Sequence, residues 1–171
     1  MNKLEQFKIR LAERNLENFA DPPDDPLGEL SQFELGLRMF CYEYDHKVIV
    51  EIGETKFNVF FDPDICMLLE ERLAEHIGDL QSGKTIRLDF AESYWIIINF
   101  VPVGKEIKCY LREVGYSTEE RLVILNKQQV VDELRRFLTE LMDMAVNLGY
   151  VSLEDKEEFI KPAFCDVQVL V

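Results

Sequence analysis

Histidine is scarce in this chain: His46 and His76 are the only two. Neither belongs to an H-E-x-x-H pattern or a His–Cys cluster, so the sequence offers no zinc ligand set. The four cysteines, Cys41, Cys66, Cys109 and Cys165, are widely spaced and never form a C-x-x-C pair. Each sits in an apolar segment, where a free thiol serves as a small buried hydrophobe. Positive charge is also short, with 19 Lys and Arg against 33 Asp and Glu, a net of −14. That sign opposes phosphate backbones and anionic membranes, which attract basic surfaces. It suits solubility, or steering toward a basic protein partner. No apolar run approaches the roughly 18 residues of a membrane span. The opening MNKLEQFKIRLAERNLENF carries charge throughout and lacks a signal peptide's apolar centre. The expectation is a cytoplasmic protein that binds neither nucleic acid nor membrane.

What is present is an ordinary globular composition, 47% hydrophobic over 171 residues, enough for one domain with its own core. Residues 1–20 read as an amphipathic N-terminal helix, with Leu4, Phe7, Leu11 and Phe19 near one stripe. A Pro/Asp-rich linker, 21–32, follows and ends it. Residues 33–150 read as an α+β core domain, and 151–171 as a short helix and a β-prone tail. From Phe33 the period is two, placing Phe33, Leu35, Leu37, Met39 and Cys41 on one strand face. KVIVEI and KFNVFF form a hairpin across GET. Asp62 and Pro63 then open a helix bearing Ile65, Leu68, Leu69, Leu73, His76, Ile77 and Leu80 on one side. TIRLDF, SYWIIINFV and EIKCYLREV follow as strands, the middle one apolar on both faces and therefore central. RLVIL adds a short strand. Asn126 caps the longest helix, Gly149 stops it, and Ser152 to Asp155 forms a capping box. The predicted fold is an antiparallel sheet of about five to six strands in hairpins and a meander. Two main helices pack on it, with the N-terminal helix in addition.

Residues 78–85, GDLQSGKT, match the phosphate-loop pattern letter for letter. A working phosphate loop joins a strand to a helix, whose N-terminus faces the anion. Here the order is reversed: helical CMLLEERLAEHI precedes it and alternating KTIRLDF follows. A helix C-terminus repels phosphate, so Gly83 reads as a turn, Lys84 as a cation answering the helix dipole, and Thr85 as a strand start.

The remaining candidates carry little chemistry. His46, in YDHK, reads as a surface turn residue, and His76 as a partly buried helix residue. Cys66 and His76 lie on one helix about 15 Å apart and do not meet; pairing of His76 with Cys41 or Cys109 stays open. DPPDDP lacks the alternating ligands of a calcium loop and reads as a solvated linker. Asp62/Asp64 and Glu70/Glu71 read as caps or exposed helix residues, and Tyr94 and Trp95 as core residues of the central strand. The tail FCDVQVLV is an aggregation hazard if left free. Phe164, Val167, Val169 and Val171 are therefore candidate contacts, preferentially with the chain's own sheet edge, otherwise with a second copy in a homodimer.

The order hairpin, helix ending in GDLQSGKTIRLDFAE, SYWIIINF, EIKCYLRE and long helix spans residues 33–148. With Leu88, Asp89, Phe90 and Glu92 as its matching letters, it resembles the immunity proteins of bacterial polymorphic toxin systems, particularly those paired with wall-associated toxins. The N-terminal segment and the apolar tail depart from that pattern. The resemblance implies a non-catalytic cytosolic protein that binds and neutralises a partner, with no cofactor, metal or nucleotide. The alternative is a small enzyme or ligand-binding domain whose pocket assembles only in three dimensions.

Overall fold

The computed structural model describes residues 4–15, 21–115 and 119–165. The fold is α+β, with seven strands in two antiparallel sheets among the described residues. β1 (Phe7–Arg14), β2 (His46–Ile52) and β3 (Thr55–Phe60) form the first sheet in that order. Register sets Phe7 opposite Ile52, Ile9 opposite Val50 and Leu11 opposite Val48. β3 adds Phe57 and Val59 to the same face, so alternation along each strand sums to one apolar surface. The second sheet is a meander of β4 (Ile86–Phe90), β5 (Ile96–Val103), β6 (Glu106–Glu113) and β7 (Arg121–Asn126). β5 lies inside it, as its doubly apolar run requires, with Ile96, Ile97 and Ile98 all buried. The sheets meet across the core, Phe7 edge-on to Phe100 with ring centroids 5.6 Å apart and Phe57 beside Phe90 at 6.5 Å.

Three local predictions are corrected. In the described part of the expected N-terminal helix, residues 4–15, the chain forms the strand β1 instead; the rest of 1–20 lies outside the described residues. Phe7, Ile9 and Leu11 also alternate, and pairing with β2 decides between the two periods. Residues 33–41 lie not in a strand but in a helix, α1 (Gln32–Glu43). It buries Leu37, Phe40 and Cys41, a three-and-four spacing, and Ser31 Oγ caps it by accepting from Glu34 N at 3.1 Å. The helix expected from Asp62 is broken. One wide turn, Phe61–Ile65, contains a cis Asp62–Pro63 bond and an extended Asp62. α2 (Cys66–Glu70) and α3 (Leu73–Gln81) follow, separated by Arg72 in the left-handed region at φ 68.

α4 (Lys127–Asn147) is capped by Asn126, which accepts from Gln129 N at 2.9 Å. α5 (Leu153–Ile160) is capped by Ser152 and runs into a short 3₁₀ turn, Lys161–Phe164. α4 lies along the edge of β1 that β2 leaves unpaired. Gln129 accepts from Phe7 N at 3.0 Å and donates back to Phe7 O at 2.7 Å. One turn on, Glu133 accepts from Ile9 N at 3.0 Å, and Arg136 donates to Ile9 O at 2.7 Å. Just before β1, Glu5 N donates to Ile124 O at 2.9 Å and ties the first sheet to β7.

Burial alone would raise the Glu133 pKa, but hydrogen bonds from Arg136 and Ile9 N, with the charges of Arg136 and Arg10, outweigh it and hold the carboxyl below its ordinary range. A depressed folded pKa gives stability that is present above the unfolded pKa and lost as pH falls through the folded one. Glu133→Ala strips the partner from a buried amide and from Arg136, which costs about 2–3 kcal/mol in urea unfolding at pH 7. The deficit shrinks once the pH lies below the folded pKa. Gln129→Ala, which removes two neutral hydrogen bonds, costs about 1–2 kcal/mol.

Candidate functional site

A buried polar knot joins three chain segments. Asp64, in the wide turn before α2, is 1% exposed. Its Oδ1 accepts from Glu92 N at 3.2 Å, and its Oδ2 accepts the hydroxyl proton of Ser93. Ser93 Oγ in turn accepts from Phe60 N at 2.8 Å. One hydroxyl thus both donates and accepts, and locks the end of β3 to the β4–β5 turn. Beside the same wide turn, the buried Asp45 accepts from Asn15 Nδ2 at 3.0 Å and from Asp62 N at 3.4 Å.

Burial pushes the Asp64 pKa up, opposed by the hydrogen bonds from Ser93 and Glu92. Asp45 is raised by burial against its own hydrogen bonds, and Asp62 by burial and then by the charges of Asp45 and Glu70. The sign is opposite to that at Glu133. A carboxyl raised in the folded state favours folding at acid pH, and the benefit is lost as pH rises through the folded pKa.

The knot serves an exposed corner. Tyr94 and Trp95 follow Ser93 with φ of 60° and 46°, a left-handed conformation that costs bulky residues about 1–3 kcal/mol each. Such strain persists only where neighbours over-determine the backbone, and here Asp64 fixes Ser93 while Val114 N donates to Trp95 O at 2.9 Å. Both aromatic side chains point outward, Tyr94 68% and Trp95 48% exposed, which corrects their assignment to the core. Phe60, whose amide is held by Ser93, is 45% exposed as well. Glu92 lies two residues before Tyr94, and Glu113 stands opposite Ile96 in the register. The result is an aromatic knuckle on a fixed scaffold beside carboxylates.

The other candidates fall elsewhere. Phe164 is half-exposed on the 3₁₀ turn, with the Arg135 guanidinium 5.4 Å from its ring centroid; Val167, Val169 and Val171 lie outside the described residues. His46 is half-buried at the start of β2, its ring stacked on Tyr44 at 4.2 Å, rather than at the surface. His76 is half-buried on α3, and among the described residues no hydrogen bond joins either histidine to a cysteine. Cys41, Cys66 and Cys109 are buried, whereas Cys165 is exposed, contrary to expectation. Burial, followed by the neighbouring Cys66 thiol, pushes Cys41 well above the ordinary thiol range, and burial takes Cys109 to about 12. Thiols so raised are poor nucleophiles. Among the described residues no three His, Cys, Asp or Glu side chains are grouped to hold a metal ion.

GDLQSGKT is the exit of α3. Gly83 has φ 92, its N–H bonds to Leu80 O at 3.1 Å, and β4 starts at Ile86. Lys84 Nζ stands 3.7 Å from the Asp79 carboxylate. Gly78 has a packing reason, because a Cβ there would meet Pro162 O at 2.5 Å. Both glycines of the motif are thus explained without a phosphate. The aromatic knuckle left only a faint trace in the sequence. Ala-Glu-Ser is turn-like, but Tyr-Trp adjoining three isoleucines reads as strand, and a contact spanning residues 64 and 93 has no local signal.

Comparison with protein-family models, with curated proteins and with solved structures finds no match to this chain.

Ser93→Ala leaves Phe60 N–H without its acceptor and removes the hydroxyl bond to the buried Asp64 carboxylate, which costs about 2–3 kcal/mol. Trp95 is the only tryptophan, so its emission reports the same change as an altered acrylamide accessibility in the folded variant. Mg-ATP and Mg-GTP leave the thermal midpoint of the wild type and of Lys84→Ala unmoved; a stabilisation present in the wild type and lost in the variant would restore a phosphate site.

Proposed function

We propose that the chain is a non-catalytic protein-binding protein that recognises a basic partner through the Tyr94–Trp95 corner. The observation that carries this reading is the strained aromatic pair, held outward by the buried Asp64–Ser93 bond. Tyr and Trp are the side chains that most often dominate binding energy at protein interfaces. A pair already fixed in place loses little further freedom on association. The excess of 33 acidic over 19 basic residues favours encounter with a positively charged surface and makes it sensitive to salt. On this reading the protein acts as an immunity-type binder in the cytoplasm, covering its partner rather than modifying it. Burial raises the Cys41 and Cys109 thiols and so disfavours these two as nucleophiles.

The test compares wild type with Tyr94→Ala/Trp95→Ala as immobilised bait in extract from the source cells. Proteins retained by the wild type alone are then purified and titrated. Both substitutions remove exposed side chains, so the fold survives, as circular dichroism would verify. A loss of at least about 30-fold in affinity is expected, the scale of one interface hot spot, together with weakening at high salt. Equal binding by the folded double variant would reject the knuckle as the recognition surface.

A further inference from the structure

A second concavity has a different chemistry. It lies between α1, the α2–α3 junction and α5, with a volume of about 480 Å³, within the size range of small-molecule sites. Its walls are apolar: Phe33, Leu37, Ala74, Phe159 and Pro162. The Phe33 and Phe159 rings pack at 5.0 Å with a 53° tilt, and Leu37 and Ala74 belong to the core. The back wall is fixed, because α3 approaches the 3₁₀ turn so closely that only a glycine fits at position 78, against Pro162 O.

The rim carries four carboxylates, Glu34, Glu70, Glu75 and Glu158, and two guanidiniums, Arg38 and Arg72. Both arginines are engaged. Arg38 grips Glu70 with two nitrogens, the longer contact 3.4 Å, and Arg72 holds Glu75 at 3.1 Å. Glu34 and Glu158 make no ion pair among the described residues. With four carboxylates against two guanidiniums, the rim keeps a net charge of about −2 over an aromatic floor, Glu34 lying within electrostatic reach of Arg38. An anion is repelled there, and a bare metal ion finds no converging ligand group among the described residues. An apolar body bearing one positive charge satisfies both features, its body on the Phe33–Phe159 wall and its charge toward Glu34 and Glu158.

We propose that this pocket is a binding site for a small organic cation, an aryl- or alkyl-ammonium or amidinium compound. It is separate from the Tyr94–Trp95 corner and does not depend on the protein-binding reading. The probe is 4-phenylbutylamine, with 4-phenylbutanol and 4-phenylbutyrate as neutral and anionic counterparts, titrated into the full chain at pH 7 and followed by amide and aromatic NMR shifts. For an 11-heavy-atom ligand at ordinary efficiency the expected dissociation constant is in the low millimolar range. Shifts centre on Phe33, Ala74 and Phe159 and leave Trp95 still. The alcohol binds more weakly than the amine, and the carboxylate more weakly again. Glu34→Gln and Glu158→Gln, at exposed positions that leave the fold intact, each weaken the amine about threefold and the alcohol not at all. Phe159→Ala weakens amine and alcohol together. Equal affinity for amine and alcohol, shifts away from this pocket, or no saturable shifts up to about 20 mM would each overturn the proposal.

Discussion

The free edge of β1 is closed by side chains instead of by another strand, and most of the architecture follows from that. An exposed strand edge offers unpaired amides and carbonyls to any passing chain, while a buried one leaves them unsatisfied. α4 solves both problems with residues at helical spacing. Gln129 returns both hydrogen bonds of Phe7, as a neighbouring strand would, and Glu133 with Arg136 does the same for Ile9. Because those residues sit on the face of α4 next to its apolar stripe, closing the edge also seats Val130, Leu134 and Phe137 in the core. With Glu5 hydrogen-bonded to Ile124, the small first sheet is held to both the longest helix and the second sheet. Phe7 can then reach Phe100, and one continuous core forms instead of two.

Buried charge has opposite consequences in two parts of the molecule. At the β1 edge the carboxylate of Glu133 is supported by Arg136 and Arg10, so ionisation strengthens the fold. At the wide turn beneath the aromatic corner, burial outweighs the hydrogen bonds of Asp45 and Asp64 and the His46 charge near Asp45, and it raises Asp62 as well, so ionisation there weakens the fold. The corner accepts this along with two left-handed aromatic residues. This local cost lies beneath the surface proposed for recognition, and the edge contacts of α4 help to offset it.

How far the sequence disclosed this depended on the range of the forces involved. Caps and stops are local, and Asn126, Ser152 and Gly83 were legible from their neighbours. The meander was legible because alternation in β4, β6 and the doubly apolar β5 admits no helical reading. β1 and α1 were misread because each satisfies two periods. Phe7 and Leu11 fit a helix, but a partner strand some forty residues away fixes the segment as β. Phe33 through Cys41 alternate, yet the capping pair Ser31 and Glu34, spaced for a helix start, marks the true structure. The break at Arg72 has no glycine to announce it. The two candidate sites were illegible for a plainer reason: the knot joins residues 64 and 93, and the pocket joins residue 33 to residue 159.

The edge closure also bears on the order in which the molecule can be made. β1 and the residues of α4 that complete it are separated by 122 to 127 positions. A ribosome therefore releases the strand well before it makes the side chains that cover it. During that interval β1 and β2 can pair, but the outer amides of Phe7 and Ile9 stay open. Long-range closures of this kind slow folding and leave a sticky edge meanwhile. The charged residues interleaved along FKIRLAER, Lys8, Arg10, Glu13 and Arg14, then act as guards for a nascent chain as well as surface residues of the finished one.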